Sequence, residues 1–291
     1  MVALIVYVDD IIITGDWNSE IQRLKRFLAT QFEVKDLGPL RYFLGIEVAR
    51  SNQGIFISQR KYVLDLLKDT GKLGAKLANT PIDVNHRLED CSDEPIADMK
   101  QYQRLVGRLL YLSMTRPNIA YAVGVLSQFM HAPKATHLEA AHRVLRYLKK
   151  FPGTGLLFGK HEHIRVEVYT DADWAGSVDD RKSTSGYCAL VGGNLVTWRS
   201  KKQSVVARSS VEAEYRAMSH GVAELLWIKN LLGELDFPLS DPIEKLEKGE
   251  VCPPYISSEE QLADIFTKGL NSMRHYNLCD KLGMIDVYAP T

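Results

Sequence analysis

Two groups of acids in this sequence have the types and spacing for phosphoryl chemistry. Asp9 and Asp10 are adjacent, flanked by the apolar runs 2–8 and 11–14. Such a pair cannot be core, because unpaired buried carboxylates are too costly. Crowded carboxylates are relieved by a divalent cation, and Mg²⁺ commonly takes one or two of them with phosphate oxygens and water. A plain polar turn accounts for the same residues, since Asp is a common turn residue. The second group is distributed: Asp171 ends an alternating strand, Glu214 lies in the first turns of a helix, and Asp264 falls in a later helix. Acids gathered from separate elements suit a two-metal phosphodiester hydrolase, in which one ion activates water and the other stabilises the leaving oxyanion. Taken singly, each also fits a helix N-terminal or surface acid. Spacing alone does not choose.

Other chemistry-bearing residues are weaker signals. His161 and His163 have no cysteine nearby, and His137 and His142, five apart, do not share a helix face. The histidines therefore read as structural or surface residues, and Trp174, Trp198 and Trp227 read as core. Cys91, Cys188, Cys252 and Cys279 form no C-x-x-C pair. Neither a disulfide framework nor a zinc knuckle is expected, and a reducing intracellular compartment, cytoplasm or nucleus, fits.

The 291 residues, 45% hydrophobic and 25% charged, have the composition of a globular chain of about two domains. A disordered, collagen-like or staple-dependent chain is excluded. No apolar run approaches the ~20 residues of a membrane span. The opening run lacks a basic flank and a cleavage site, so it reads as a strand and not a signal peptide. A net charge of zero hides two opposed blocks. Residues 101–160 carry nine Lys/Arg against one acid, and residues 209–264 carry twelve acids against four Lys/Arg. The basic block, with Arg104, Arg108, Arg143, Arg146, Lys149 and Lys150, is the footprint expected of phosphate-backbone binding. A solvated helix face is the alternative.

The elements that must position these residues follow from periodicity. A hairpin carries Asp9 and Asp10, and a helix with Ile21, Leu24, Phe27 and Leu28 on one face follows. A second hairpin covers 41–49 and 55–58 around Asn52-Gln53-Gly54, and a helix covers 59–70. Residues 79–98 read as an acidic linker. Helices at 100–114, 118–130 and 134–150 end at Pro152-Gly153, the main predicted boundary. Ile164, Val166 and Val168 then begin a half-buried strand leading to Asp171 and Asp173. A hairpin crosses Gly192-Gly193-Asn194. A helix over 210–234, a strand near 251–256 and a helix over 258–268 complete the pattern.

These residues carry a resemblance. Tyr7-Val8-Asp9-Asp10 resembles the metal-binding turn of retroelement reverse transcriptases, and Phe43-Leu44-Gly45-Ile46-Glu47 resembles the palm hairpin that grips the primer. The chain is similar nearly throughout to copia-type retrotransposon polyproteins. The matching segments include Asp36-Leu37-Gly38-Pro39-Leu40, Gly107-Arg108-Leu109-Leu110-Tyr111-Leu112 and Thr115-Arg116-Pro117-Asn118. They continue with Asp171-Ala172-Asp173-Trp174-Ala175-Gly176, Ser183-Thr184-Ser185-Gly186-Tyr187, Ser209-Ser210-Val211-Glu212-Ala213-Glu214-Tyr215 and Gln261-Leu262-Ala263-Asp264-Ile265-Phe266-Thr267-Lys268.

The resemblance implies an α+β or α/β chain in three parts. Residues 1–80 correspond to the end of a reverse-transcriptase palm and 81–152 to a linker and helical thumb or connection region. Residues 153–291 correspond to a ribonuclease H-like domain with a truncated central sheet. It implies that Asp9 and Asp10 match polymerase metal ligands, and that Asp171, Glu214 and Asp264 match ribonuclease H acids, with Asp173 and Glu212 ranked second. The implied cofactor is Mg²⁺, with Mn²⁺ as substitute. The implied partners are an RNA–DNA hybrid or template–primer duplex, and other retroelement proteins, with no membrane.

Two departures from the family pattern shape the expected activity. The chain begins six residues before Tyr7, so the strand with the third polymerase aspartate is not in it, and polymerase activity is not expected. After Leu235 the family has a strand with a Cys-Asp-Asn-Gln-like motif carrying a further acid. Here Pro242-Ile243 passes directly to Glu244-Lys245-Leu246, leaving Asp236 and Asp241 as the nearby replacements. Losing a ligand and a strand weakens metal binding and exposes sheet edges. Hydrolysis is expected to be absent or severely reduced. The alternatives are an active nuclease using a substitute acid and a non-catalytic nucleic-acid-binding or scaffold protein.

Overall fold

The computed structural model describes residues 1–89, 95–237 and 256–287. Among the described residues, its mixed α and β architecture contains three sheets and seven α-helices. The strands β1 (Val2–Tyr7) and β2 (Asp10–Gly15) form an antiparallel hairpin followed by helix α1 (Asn18–Gln31). Next come β3 (Tyr42–Phe43), β4 (Ile46–Arg50), β5 (Gly54–Ser58) and α2 (Arg60–Asp69).

A helical block follows: α3 (Met99–Leu112), a 3-10 turn (Pro117–Ile119), α4 (Ala120–Ser127) and α5 (Ala135–Lys150). Asp98 starts α3 by accepting a hydrogen bond from the Gln101 amide, an ordinary N-cap. Tyr102, Leu105, Val106, Leu109 and Leu112 then recur at helical spacing and are all buried. They join Val63, Leu66, Leu67, Leu126, Val144, Leu145 and Leu148 in one apolar core. Each fully buried side chain of this kind contributes about 1.5–3 kcal/mol relative to exposure. Ala78 and Ile82 enter the same core. The first part of the expected 79–98 linker is therefore packed structure, anchored by apolar side chains that its acids and prolines obscured.

The strand β6 (Thr154–Gly159) lies just past the expected boundary at Pro152-Gly153 and pairs with β5 on one side and β10 (Met284–Asp286) on the other. The resulting order, β10-β6-β5-β4-β3, joins strands from the beginning, middle and end of the chain. The third sheet is antiparallel, β7 (Val166–Asp173), β8 (Thr184–Val191) and β9 (Asn194–Lys202), in the order β7-β8-β9. Helix α6 (Ser210–Glu234) packs across β7 and β8. Its buried stripe of Ala213, Ala217 and Gly221 recurs every fourth residue, which keeps one face narrow. A Cβ on Gly221 would fall 2.4 Å from the Thr170 methyl, so this glycine sets how closely α6 approaches the sheet.

The segment expected as a helix over 258–268 is instead a short 3-10 turn (Leu262–Phe266), followed by α7 (Ser272–Lys281), which periodicity did not reveal. All five residues of that turn are buried, and Gln261 caps it by accepting from the Ala263 amide. Leu262, Ile265 and Phe266 pack with Leu156, Cys188, Leu278 and Met284 in a second core. Tryptophan burial also departs from expectation. Trp174 and Trp227 are 49% and 57% exposed, while Trp198 is part-buried and donates its indole N–H to the Ser113 carbonyl. The expected strand near 251–256 and the segment around Asp241 lie outside the described residues, apart from Ile256. No helix among the described residues is long and apolar enough to cross a membrane.

Candidate active site

The β7 strand delivers Asp171 to a position paired with Gly186 of β8. A side chain on Gly186 would bring its Cβ within 2.7 Å of Phe266 Cβ and the Thr267 methyl. This glycine therefore lets the 262–268 segment cross close over β8, setting Thr267 and Lys268 against Asp171. Gly186→Ala is expected to cost about 1–3 kcal/mol by overpacking. A denaturant midpoint unchanged from wild type would contradict this close-approach account.

Asp171 and Asp264 are 8% and 6% exposed. Thr267 donates its hydroxyl to Asp171 Oδ2. Lys268 Nζ stands 3.3 Å from that same oxygen and 2.8 Å from Asp264 Oδ1. The Arg274 guanidinium takes Asp264 Oδ2 and also donates to the Ser258 carbonyl. Glu214, half-buried on α6, has its carboxyl pushed above the ordinary range by burial and by the Asp171 charge, against a hydrogen bond from the Ala172 amide. Burial also raises Asp173, with Asp171 adding to the shift and Lys268 opposing it. Desolvation pulls Lys268 down, but Asp171 and Asp264 outweigh it and hold the ammonium above its ordinary value.

The three acids from separate elements are thus brought into one electrostatic neighbourhood. Glu212 is not part of it. Its amide bonds the Ser209 hydroxyl, while its carboxylate accepts from the Arg208 amide and pairs with Arg216. This is helix-start capping. Asp236 is exposed after α6, at φ +59°. Thr267, Lys268 and Arg274 are site residues that the sequence reading did not single out. The four-residue spacing of Asp264 and Lys268 was the available signal.

Asp9 and Asp10 lie at the far end of the β1–β2 hairpin, both exposed. Tyr7 pairs with Asp10, leaving Val8 and Asp9 as the two-residue turn. Val8 has φ +50°, a region β-branched residues rarely enter, at a cost on the order of 1–3 kcal/mol.

Most of the basic block is part-exposed and engaged by protein partners. Arg108 pairs with Asp69 at 2.8 Å and lies over the Tyr62 ring. Arg143 pairs with Asp83 at 2.9 Å, and Arg146 with Glu139 at 2.6 Å. Lys149 donates to the Ala75 carbonyl and Lys150 to Asn79, each at 2.6 Å. Arg143, Lys149 and Lys150 of α5 thus fasten the 75–83 segment. Arg104 is exposed. Arg116 and Lys134, counted in the same block, are buried.

The oxygen donors of Asp171, Asp264 and Glu214 suit a hard divalent cation in kind. Their arrangement does not, because the point where Asp171 and Asp264 converge is taken by Lys268 Nζ. Among the described residues, no group of three or more His, Cys, Asp or Glu side chains is set to hold a metal ion.

Residues 1–84 match the family described as reverse transcriptase (RNA-dependent DNA polymerase). Beyond that segment, the chain as a whole belongs with the copia-type, retrovirus-related Pol polyproteins of transposons. It is 38% identical over 320 residues to the retrovirus-related Pol polyprotein from transposon RE1 of Arabidopsis thaliana, covering 99% of this chain and 22% of that protein. Against the transposon TNT 1-94 polyprotein of Nicotiana tabacum the identity is 38% over 243 residues, covering 80% of this chain and 18% of that protein. An uncharacterized mitochondrial protein of Arabidopsis thaliana is 40% identical over 224 residues, covering 77% of this chain and 93% of that protein. The chain spans about a fifth of the length of the polyproteins it matches. No solved structure matches it.

Proposed function

We propose that this chain is a ribonuclease H-like remnant of a copia-type Pol polyprotein, one that holds an RNA–DNA hybrid without cleaving it. The convergence of Asp171, Glu214 and Asp264 from three separate elements around the end of β7 carries this reading. In it, residues 1–80 are the end of a polymerase palm, 81–152 a thumb or connection region, and 153–291 the ribonuclease H-like part. Asp9 and Asp10 are the polymerase acids, left at an exposed hairpin tip.

Hydrolysis fails on this reading because two of the three acids spend their charge on the protein's own cations, and the family's further acid-bearing strand has no counterpart in the sequence after Leu235. Asp171 and Asp264, held by Thr267, Lys268 and Arg274, then shape and neutralise the site rather than activate water. Retained hybrid binding is expected to weaken steeply with salt, as phosphate contacts do.

The test is cleavage of a labelled RNA–DNA hybrid in Mg²⁺ and in Mn²⁺, beside an Asp171→Asn variant. The expected result is no cleavage above that variant, with salt-sensitive hybrid binding in both. Cleavage that disappears in Asp171→Asn would overturn the proposal.

A further inference from the structure

Buried carboxylates need a counter-charge, because water screens them poorly and their isolated desolvation is costly. For Asp171 and Asp264 that counter-charge comes from the segment immediately after Asp264. Lys268 Nζ lies 2.8 Å from Asp264 Oδ1 and 3.3 Å from Asp171 Oδ2, bridging the two acids. The residues between Asp264 and Lys268 do not continue an α-helix. Leu262–Phe266 is a buried 3-10 turn, so the acid side of the pair is fixed in the core while the Lys268 side chain, 40% exposed, reaches in from the edge. Thr267 donates to the same Asp171 oxygen that faces Lys268, and Arg274 covers the second oxygen of Asp264. Residues 264–274 therefore supply one of the two acids and, among the described residues, every side-chain donor on the pair.

We propose that Lys268 is the resident cation of this site: its ammonium occupies the position between Asp171 and Asp264 and excludes divalent metal from it. A tethered ammonium needs no binding from solution, and its effective concentration beside the acids is set by the chain. Mg²⁺ or Mn²⁺ would have to displace that side chain and give up tightly held water to take its place. The inference rests on reading Asp171 and Asp264 as the ribonuclease H acids, but its test reads metal occupancy and not cleavage, so either can fail without the other.

The experiment compares the full chain with K268M in chelator and in Mn²⁺, by calorimetric titration and thermal unfolding. The wild type is expected to show no Mn²⁺ heat and no shift in Tm. K268M leaves two buried acids without their shared cation. It is expected to melt lower in chelator and to recover roughly 5 °C or more when Mn²⁺ saturates the vacated position. K268M/D171N, which removes one acid as well, is expected to regain stability and lose the Mn²⁺ response. A K268M protein as stable as wild type in chelator and indifferent to Mn²⁺ would overturn the proposal. So would a wild-type Mn²⁺ response equal to that of K268M and abolished by D171N. Should K268M fail to fold with or without Mn²⁺, the wild-type titration decides, with Asp171-dependent Mn²⁺ binding overturning the proposal and its absence upholding it.

Discussion

Arg116→Ala is expected to destabilise the protein by about 3 kcal/mol or more, the largest effect of any single substitution considered. Arg116 is 1% exposed. Its Nη1 donates to the carbonyls of Phe151 and Thr154, both at 3.0 Å, across the turn that leads into β6. Its Nε approaches Asn118 Oδ1, while Asn118 donates to the Tyr147 hydroxyl at 2.6 Å and its carbonyl faces His275. One side chain thus ties the 3-10 turn before α4 to the end of α5, and through Asn118 to α7. Truncation removes the donor shared by two carbonyls, leaving the Phe151 carbonyl only a long 3.4 Å bond from the Thr154 amide, at about 1–3 kcal/mol per weakened acceptor, and opens a cavity of nearly a full arginine. Relief of guanidinium desolvation offsets part of this. Arg116→Lys is expected to recover only part of this, because one ammonium replaces a guanidinium whose Nη1 reaches both carbonyls while its Nε faces Asn118. Denaturant midpoints check both. An Arg116→Ala protein within 1 kcal/mol of wild type would show that the network is incidental.

The second large effect is acid sensitivity traceable to His275. This residue is buried among Tyr147, Tyr276 and Cys279, with Nε2 3.3 Å from the Asn118 carbonyl. Burial pushes its pKa from 6.5 down to about 4, against the Asn118 hydrogen bond, which raises it. The folded value lies below the unfolded one, so the unfolded chain takes up the proton first. The stabilisation is complete above pH 6.5 and is lost as pH falls through about 4. One proton contributes about 1.4 kcal/mol per pH unit, which sums to on the order of 3 kcal/mol over this window. Glu214 and Asp173, with carboxyls above their ordinary range, act in the opposite direction. Comparison with His275→Gln separates the contributions. Between pH 7 and pH 4.5, wild type is expected to lose clearly more stability than His275→Gln. Parallel losses would mean that His275 titrates normally.

The parts of the fold that were legible in the sequence are those whose pattern has one period. The α3 helix, with Tyr102, Leu105, Val106, Leu109 and Leu112 on one face, and the alternating strand through Val166 and Val168 both form as read. The β6 strand escaped because it is paired on both edges and its Leu156-Leu157-Phe158 run does not alternate. Residues 262–266 carry helix-forming types, yet burial of all five residues above β8 favours a tighter turn than an α-helix.

Among site residues, Asp171, Glu214 and Asp264 could be named because acids at element ends are visible in one dimension. Lys268 and Arg274 could not be assigned the same way, since their role depends on which carboxylates the chain folds toward them. The partners of the basic block were hidden for a related reason. Charge counting treats Arg143, Arg146, Lys149 and Lys150 as an outward field, whereas each has a protein partner on or around α5.

The central claim is that the acid pair is neutralised from within the chain. Its most direct measurement is anomalous scattering from wild-type crystals soaked in Mn²⁺. The expected map shows Lys268 Nζ between Asp171 and Asp264 and no anomalous peak there. A Mn²⁺ peak shared by the two carboxylates, with Lys268 turned away, would contradict it.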